Sequence, residues 1–205
     1  TFIDEVGGNS IDGESMITPR YEVLLDIQKG WNLIMGISLS KIYSDSEIKE
    51  ENIKAVYAYS VTQQKYLMIY PEETGDKEEV MEDIIWSAFW VYSDKAGTIK
   101  YRTIEGVPSL ENRRLYTGWN FVALTPDMVF KDVEKRNLKE EKIYLETIKG
   151  SCNIEEAYFF EDGKWKEFKE YIEPEITGYG LAIKVSDDCN LGTSGSSVNP
   201  PAIRN

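Results

Sequence analysis

Thirty-six Asp and Glu side chains, two cysteines and no histidine make up the reactive inventory of this 205-residue chain. Imidazole is the commonest general base at neutral pH and the commonest transition-metal ligand. Its absence excludes every Ser-His-Asp and Cys-His arrangement. Cys152 and Cys189 cannot by themselves complete a zinc site of the usual Cys/His composition. Carboxylate chemistry remains, and it needs acids isolated inside apolar strands, where burial lifts a pKa toward a catalytic value. The acids instead cluster as Glu47-Ile48-Lys49-Glu50-Glu51, Glu72-Glu73, Glu78-Glu79 and Lys139-Glu140-Glu141-Lys142, which reads as solvated helix faces and turns. The calcium-loop pattern D-x-[DN]-x-[DN]-G, the G-x-G-x-x-G fingerprint and the P-loop are all absent. A glycoside hydrolase would need two carboxyl groups about 5 to 10 Å apart across a cleft, and no spacing in the chain points to such a pair. The expectation is a protein without catalytic residues, metal or cofactor.

Charge narrows the partners. With 23 Lys and Arg against 36 Asp and Glu, the net charge is −13, a poor match to nucleic acid or an anionic membrane, whose affinity comes mainly from Lys and Arg on phosphates. Hydrophobic residues at 41% and aromatics at 12% indicate a folded chain. Charges interrupt every apolar run well before the 20 or so residues a membrane-spanning helix requires. The start, Thr1-Phe2-Ile3-Asp4-Glu5, lacks the basic end and apolar run of a signal peptide. It is not Met, which fits either a processed chain or a trimmed boundary.

The elements that must position any site follow from an internal repeat. Gly30-Trp31-Asn32-Leu33-Ile34 recurs as Gly118-Trp119-Asn120-Phe121-Val122, and Ile53 to Tyr59 recurs as Ile154 to Phe160. Ala88-Phe89-Trp90-Val91-Tyr92 aligns with Gly178-Tyr179-Gly180-Leu181-Ala182 as a closing strand. Each copy reads as mainly β. Residues 21–28 alternate, Trp31 to Ile37 is a continuous apolar run, and two hairpins follow, around Thr62-Gln63-Gln64 and around Asp162-Gly163, the latter a type I′ signal. Helices are predicted at Asp45 to Asn52, Asp76 to Ile85 and Asp127 to Glu141, with a shorter one at Glu167 to Glu175. The predicted fold is α+β, mainly β with short helices, as two tandem, similar antiparallel modules of barrel or sandwich type. The division is an N-terminal arm 1–20, module 1 at 21–104, a linker 105–112, module 2 at 113–191 and a flexible tail 192–205.

Alternation puts Tyr57 and Tyr59 on one strand face, Tyr66 and Tyr70 on one face of the next, and Trp86, Trp90 and Tyr92 together on the last. Tyr and Trp commonly fill a half-buried sheet face with the polar tip in water. The same set, facing solvent, could instead stack on sugar rings or on a neighbouring subunit. Gly30, Trp31, Asn32 and their mates Gly118, Trp119, Asn120 read as structural. The glycines allow close backbone approach and the asparagines bond to the following turn.

The order of apolar strand, Gly-Trp-Asn-Leu-Ile, short helix, Tyr-rich hairpin and closing aromatic strand resembles the Gly-Trp-Asn repeat modules of exported archaeal and bacterial surface proteins. The match covers most of residues 21–190, departing at Ala88, where Gly is usual, and at Gly180, where an aromatic is usual. The resemblance implies a cell-surface or filament module and no catalysis. The cysteines suit that compartment: a Cys152–Cys189 bond would tie the long loop of the second copy to the end of its last strand. Closing a loop of about 38 residues would contribute ~4 kcal/mol by the loop-entropy estimate. Two free thiols in a cytosolic protein is the other reading. The expected function is an extracellular, non-enzymatic structural or interaction protein, a subunit or head domain of a pilin-like or adhesin assembly. Its partners would be copies of itself, other surface proteins or glycans. A carbohydrate-binding module using the aromatic faces is the alternative.

Overall fold

The structure, a computed structural model, describes residues 22–72, 84, 87–103, 110, 113–129, 143–168, 171–172 and 174–192. The N-terminal arm, nearly all of the linker and tail, Trp86, and most of the predicted helices at 76–85 and 127–141 lie outside the described residues.

The first copy contains β1 (Glu22–Ile27), β2 (Gly30–Met35), β3 (Ile37–Ile42), β4 (Ile53–Ser60), β5 (Lys65–Tyr70), β6 (Ala88–Ser93) and β7 (Gly97–Thr103). The second contains β8 (Arg114–Leu115), β9 (Gly118–Ala123), β10 (Ile143–Tyr144), β11 (Ile154–Glu161), β12 (Lys164–Glu167), β13 (Tyr171–Ile172), β14 (Gly180–Val185) and β15 (Cys189–Asn190). Every ladder between these strands is antiparallel. The main sheet of the first copy runs β2-β6-β4-β5, and that of the second runs β9-β14-β11-β12, the same order of corresponding strands. The second sheets correspond as well, β1-β7-β3 in one copy and the short pair β8-β15 in the other. The fold is therefore mainly β with short helices, two similar sandwich-like modules in tandem, and no sheet among the described residues closes into a barrel.

Burial follows the strand period. In β1 the alternate residues Val23, Leu25 and Ile27 are buried, whereas Leu24 is exposed. They pack with Ile34, Val56, Ala58, Phe89, Val91 and Ile99 in one core; the second copy has its own, built on Leu115, Val122, Leu124, Ile148, Leu181 and Ile183. Each buried Val, Leu, Ile or Phe among them contributes about 1.5–3 kcal/mol of transfer free energy. The fully buried Tyr101 donates its hydroxyl to the Met35 carbonyl at 2.7 Å, which satisfies a polar group in the first core.

Several expectations change. The closing strands align two residues later than the sequence comparison placed them. Ala88 pairs with Met35 and Gly180 with Ala123, so Gly180 is the counterpart of Ala88, Ala182 of Trp90 and Lys184 of Tyr92. Pairing with the Gly-Trp-Asn strand, rather than likeness of composition, determines that register. The predicted helix at Asp45 to Asn52 is only a single 3-10 turn, Glu50–Asn52. Residues 167–175 contain the strand β13 and the turn Pro174–Ile176 in place of a helix. Tyr70 leaves the face of Tyr66, because a register shift between Val56 and Tyr57 sets Tyr70 opposite the core residue Val56.

The glycines of the repeat are needed for a different reason from close approach. A Cβ added to Gly30 or Gly118 would meet nothing within 4 Å, but their φ angles are +108° and +95°, a region that L side chains rarely adopt. Asn32 and Asn120 bond to the turn that precedes them. Asn32 accepts from the Gln28 N–H at 2.9 Å and donates to the carbonyls of Gln28 and Gly30 at 2.9 and 3.1 Å. Asn120 repeats the pattern with Tyr116 and Gly118. One motif thus closes the entry to the main sheet of each module.

The two modules touch through equivalent elements. Ile34 bridges to Tyr179 and Ser87 bridges to Val122. Since Val122 is the counterpart of Ile34 and Tyr179 that of Ser87, this is one contact made twice with roles exchanged, the arrangement of a two-fold dimer. The Met35 N–H donates to the Gly178 carbonyl at 2.7 Å, and the Tyr179 hydroxyl to the Asp26 carbonyl at 2.7 Å.

Candidate aromatic binding site

The Asp162-Gly163 turn forms as its dipeptide requires, with φ of +52° and +72°, and it closes the β11–β12 hairpin of the second module. Phe160 on β11 and Trp165 on β12 are cross-strand partners, as are Tyr59 and Tyr66 at the corresponding positions on β4 and β5. On the first sheet Trp31, Tyr57 and Trp90 stand side by side, because Trp31 pairs with Tyr92, and Trp90 with both Leu33 and Tyr57.

These rings meet across the module boundary. The Trp90 ring lies 4.8 Å from Phe160, 5.6 Å from Trp165 and 6.1 Å from Phe121, all edge-on. Tyr57, Trp90 and Tyr92 surround Trp31 at 5.9, 6.4 and 5.2 Å, again near-perpendicular. Between the two sheets an open groove of about 430 Å³ is lined, among the described residues, by five aromatic side chains: Trp31, Tyr57, Tyr66, Trp90 and Phe160. Two further hollows share Trp31 and Phe160. One adds Gln28, Lys29 and Asp162, and the other adds Asp26, Glu161, Glu175 and Tyr179. Trp31 and Phe160 border all three, and the charged residues lining this aromatic cleft are, among the described residues, mainly acidic.

Of the aromatic residues singled out in the sequence, Tyr57 and Trp90 line the groove, Tyr92 stands beside Trp31 as its cross-strand partner, and Tyr59 packs on Tyr66 and Phe121 at 5.1 and 5.4 Å. Trp86 lies outside the described residues. Trp31 and Trp119, expected as structural, carry their rings at the surface, 41% and 38% exposed, while the neighbouring Gly and Asn shape the turn. Tyr66, placed on an aromatic strand face from the sequence, lines the groove as well, whereas Phe160, Gln28 and Asp162 escaped the sequence reading as site residues. For Trp31 a signal was present: the residue next to it in the strand, Asn32, is needed inside, so Trp31 must point out.

Burial raises the pKa of the Tyr66 phenol, and the approach of the Trp90 indole only partly offsets that rise. The buried indole N–H still has no acceptor at hydrogen-bonding geometry. Burial also raises Tyr179, with the nearby Asp26 adding to it. Asp26 accepts the Thr98 hydroxyl at 2.7 Å, and Glu161 is paired with Lys166. Among the described residues the carboxyl groups with displaced pKa values, Asp94, Glu156 and Asp188, are all lowered by hydrogen-bond donors. That is opposite to what a general acid at neutral pH requires. No group of three or more metal-ligating side chains occurs among the described residues.

The cysteines are joined. Cys152 and Cys189 form a disulfide with Cα atoms 5.0 Å apart, tying the loop before β11 to β15 at the far side of the second core. No helix among the described residues is long and apolar enough to cross a membrane. No protein-family model, curated protein or solved structure matches this chain.

Proposed function

We propose that this chain is an extracellular, non-enzymatic interaction protein, a subunit or head domain of a cell-surface or filament assembly, that engages its partner through the aromatic cleft. The observation that carries this reading is a comparison inside the molecule. The second module builds the same four-stranded sheet with Ala182 and Lys184 where the first has Trp90 and Tyr92. Lys184 there pairs with Glu155 and Glu156 at 3.2 and 3.0 Å. The fold therefore does not need large aromatic residues at those positions, and their concentration around an open groove supports recognition. The disulfide supports an oxidising compartment, and a net charge of −13 disfavours nucleic acid and anionic membranes.

The test is co-sedimentation with envelope fragments of the source cells. The protein sediments with the fragments, and the double variant Trp31→Ala, Phe160→Ala stays in the supernatant while keeping its β circular dichroism. A chain that remains monomeric and ignores envelopes at every concentration overturns the reading.

A further inference from the structure

The cleft carries enough chemistry to name its ligand class, and the inference rests on the recognition reading above. We propose that it holds a neutral oligosaccharide chain, with sugar rings stacked on Trp31 and Phe160 and their hydroxyls donating to the acidic and amide side chains of the rim.

Three observations converge. First, the same two rings border all the available space. Three hollows of about 430, 440 and 340 Å³ each have Trp31 and Phe160 in their lining, so a chain of linked units lying across them would meet both rings. Second, the rings offer outward platforms and not a closed cage. Tyr57, Trp90 and Tyr92 stand edge-on against Trp31 within 6.4 Å, and 41% of Trp31 remains exposed. A flat apolar face open to solvent matches the C–H face of a pyranose, whereas an organic cation is best held where several ring faces converge on one point. Third, the rim is built of acceptors. Asp26, Gln28, Glu161, Asp162 and Glu175 line these hollows with Lys29, the one cation there among the described residues. Carboxylate and amide oxygens accept from hydroxyl donors, and the same carboxylates repel uronic acids, sulfated sugars and phosphates. Two of the acids already hold protein groups, Asp26 the Thr98 hydroxyl and Glu161 the Lys166 ammonium. This leaves Asp162, Glu175 and Gln28 as the orienting set.

The aromatic floor spans both modules, since Trp31, Tyr57, Tyr66 and Trp90 come from the first and Phe160 from the second. Binding is therefore a property of the joined pair. Trp119, the counterpart of Trp31, lines none of the three hollows and serves as an internal control.

The experiment is native affinity electrophoresis of the full chain in gels containing soluble β-glucan, mannan, galactan or, as the anionic control, alginate. Isothermal titration follows on any polysaccharide that retards the protein. At least one neutral polysaccharide retards the chain and alginate does not. Trp31→Ala and Phe160→Ala each weaken binding at least tenfold, while Trp119→Ala leaves it within twofold. Absence of retardation by every neutral polysaccharide overturns the proposal, as does binding that survives both substitutions. Periodate oxidation of the envelope fragments separates the two levels of inference. Loss of sedimentation after oxidation supports the glycan. Sedimentation that depends on Trp31 but withstands oxidation and competing polysaccharide overturns the glycan and leaves a protein partner for the cleft.

Discussion

A methyl group added to Gly180 would lie 2.5 Å from Cβ of Ala88 and 2.6 Å from Cγ of Leu33. Ala88 is the residue that Gly180 itself replaces in the other sheet, so the two modules approach at the point where their closing strands begin. Only one of the two equivalent positions has room for a side chain. Gly180→Ala is expected to cost about 1–3 kcal/mol through forced overpacking, seen as a lower midpoint in urea denaturation. A midpoint unchanged by the substitution would show that the modules sit farther apart than described.

Asn32 and Asn120 each bridge an N–H and a carbonyl of the turn before the Gly-Trp-Asn strand and the carbonyl of that strand's own glycine. Asn→Ala at either position leaves those groups unmet and should cost about 1–3 kcal/mol. Asn→Asp keeps the acceptor and loses the donor, so it too should destabilise, even though the side chains are nearly the same size. If Asn32→Asp is as stable as the parent protein in equilibrium unfolding, the assigned amide orientation is wrong.

Arg113 is 1% exposed, with its guanidinium donating to the Ala123 carbonyl and the Thr125 hydroxyl and lying 3.8 Å from the Asp127 carboxylate. Arg113 is buried and Asp127 is 31% exposed, so removing the carboxylate weakens the compensation of a buried charge, at a cost of about 1–3 kcal/mol, whereas replacing the charge by an apolar chain of similar volume costs less. Asp127→Ala should therefore destabilise more than Arg113→Met. The reverse order in thermal unfolding would mean that Arg113 is held by its neutral partners alone.

The pH profile should be flat through neutrality. Asp94, Glu156 and Asp188 are held below the ordinary carboxylate range, chiefly by Lys54, Lys184 and the Thr117 N–H. Their stabilisation is present above the unfolded pKa of about 4 and fades as pH falls through the folded values. Burial raises Tyr101 well above its ordinary value, and hydrogen bonds to Glu22, Glu161 and Glu156 raise Lys100, Lys166 and Lys184. Those contributions are complete below about pH 10 and are lost as pH rises through the folded pKa values. With no histidine to titrate between, the melting temperature should form a plateau from about pH 5 to 9. Tyr101→Phe should soften the alkaline edge. A steep slope between about pH 6 and 8 would require a titrating group that this assignment omits.

Reduction of Cys152–Cys189, 37 residues apart in sequence, removes a closed loop and should lower stability by up to about 4 kcal/mol. The loss should be local. Hydrogen exchange should quicken around residues 148–153 and 189–192, where the Gly192 N–H bonds to Ile148 and the Ser151 N–H to Asn190, before it quickens in β1 and β7. Uniform acceleration across both modules would show that they unfold as one unit.

The duplication, the β class, the strands β1 and β4 and both hairpins were legible in the chain, because strand periodicity and turn dipeptides are local properties that each copy states separately. The register of the closing strands was not. Ala88 and Gly180 are matched by what they pair with, residues 53 and 57 positions away in sequence, and composition alone misplaced them by two. The aromatic cleft was half legible. Tyr57 and Trp90 announced a face, but Phe160 reaches it only because the two sheets pack through equivalent strands, and packing between modules depends on non-local contacts that no short pattern encodes. Sequence by itself determined which residues could be exposed aromatics and which chemistry was excluded. Tertiary structure alone decided that Trp31 and Phe160, one from each module, line a single groove.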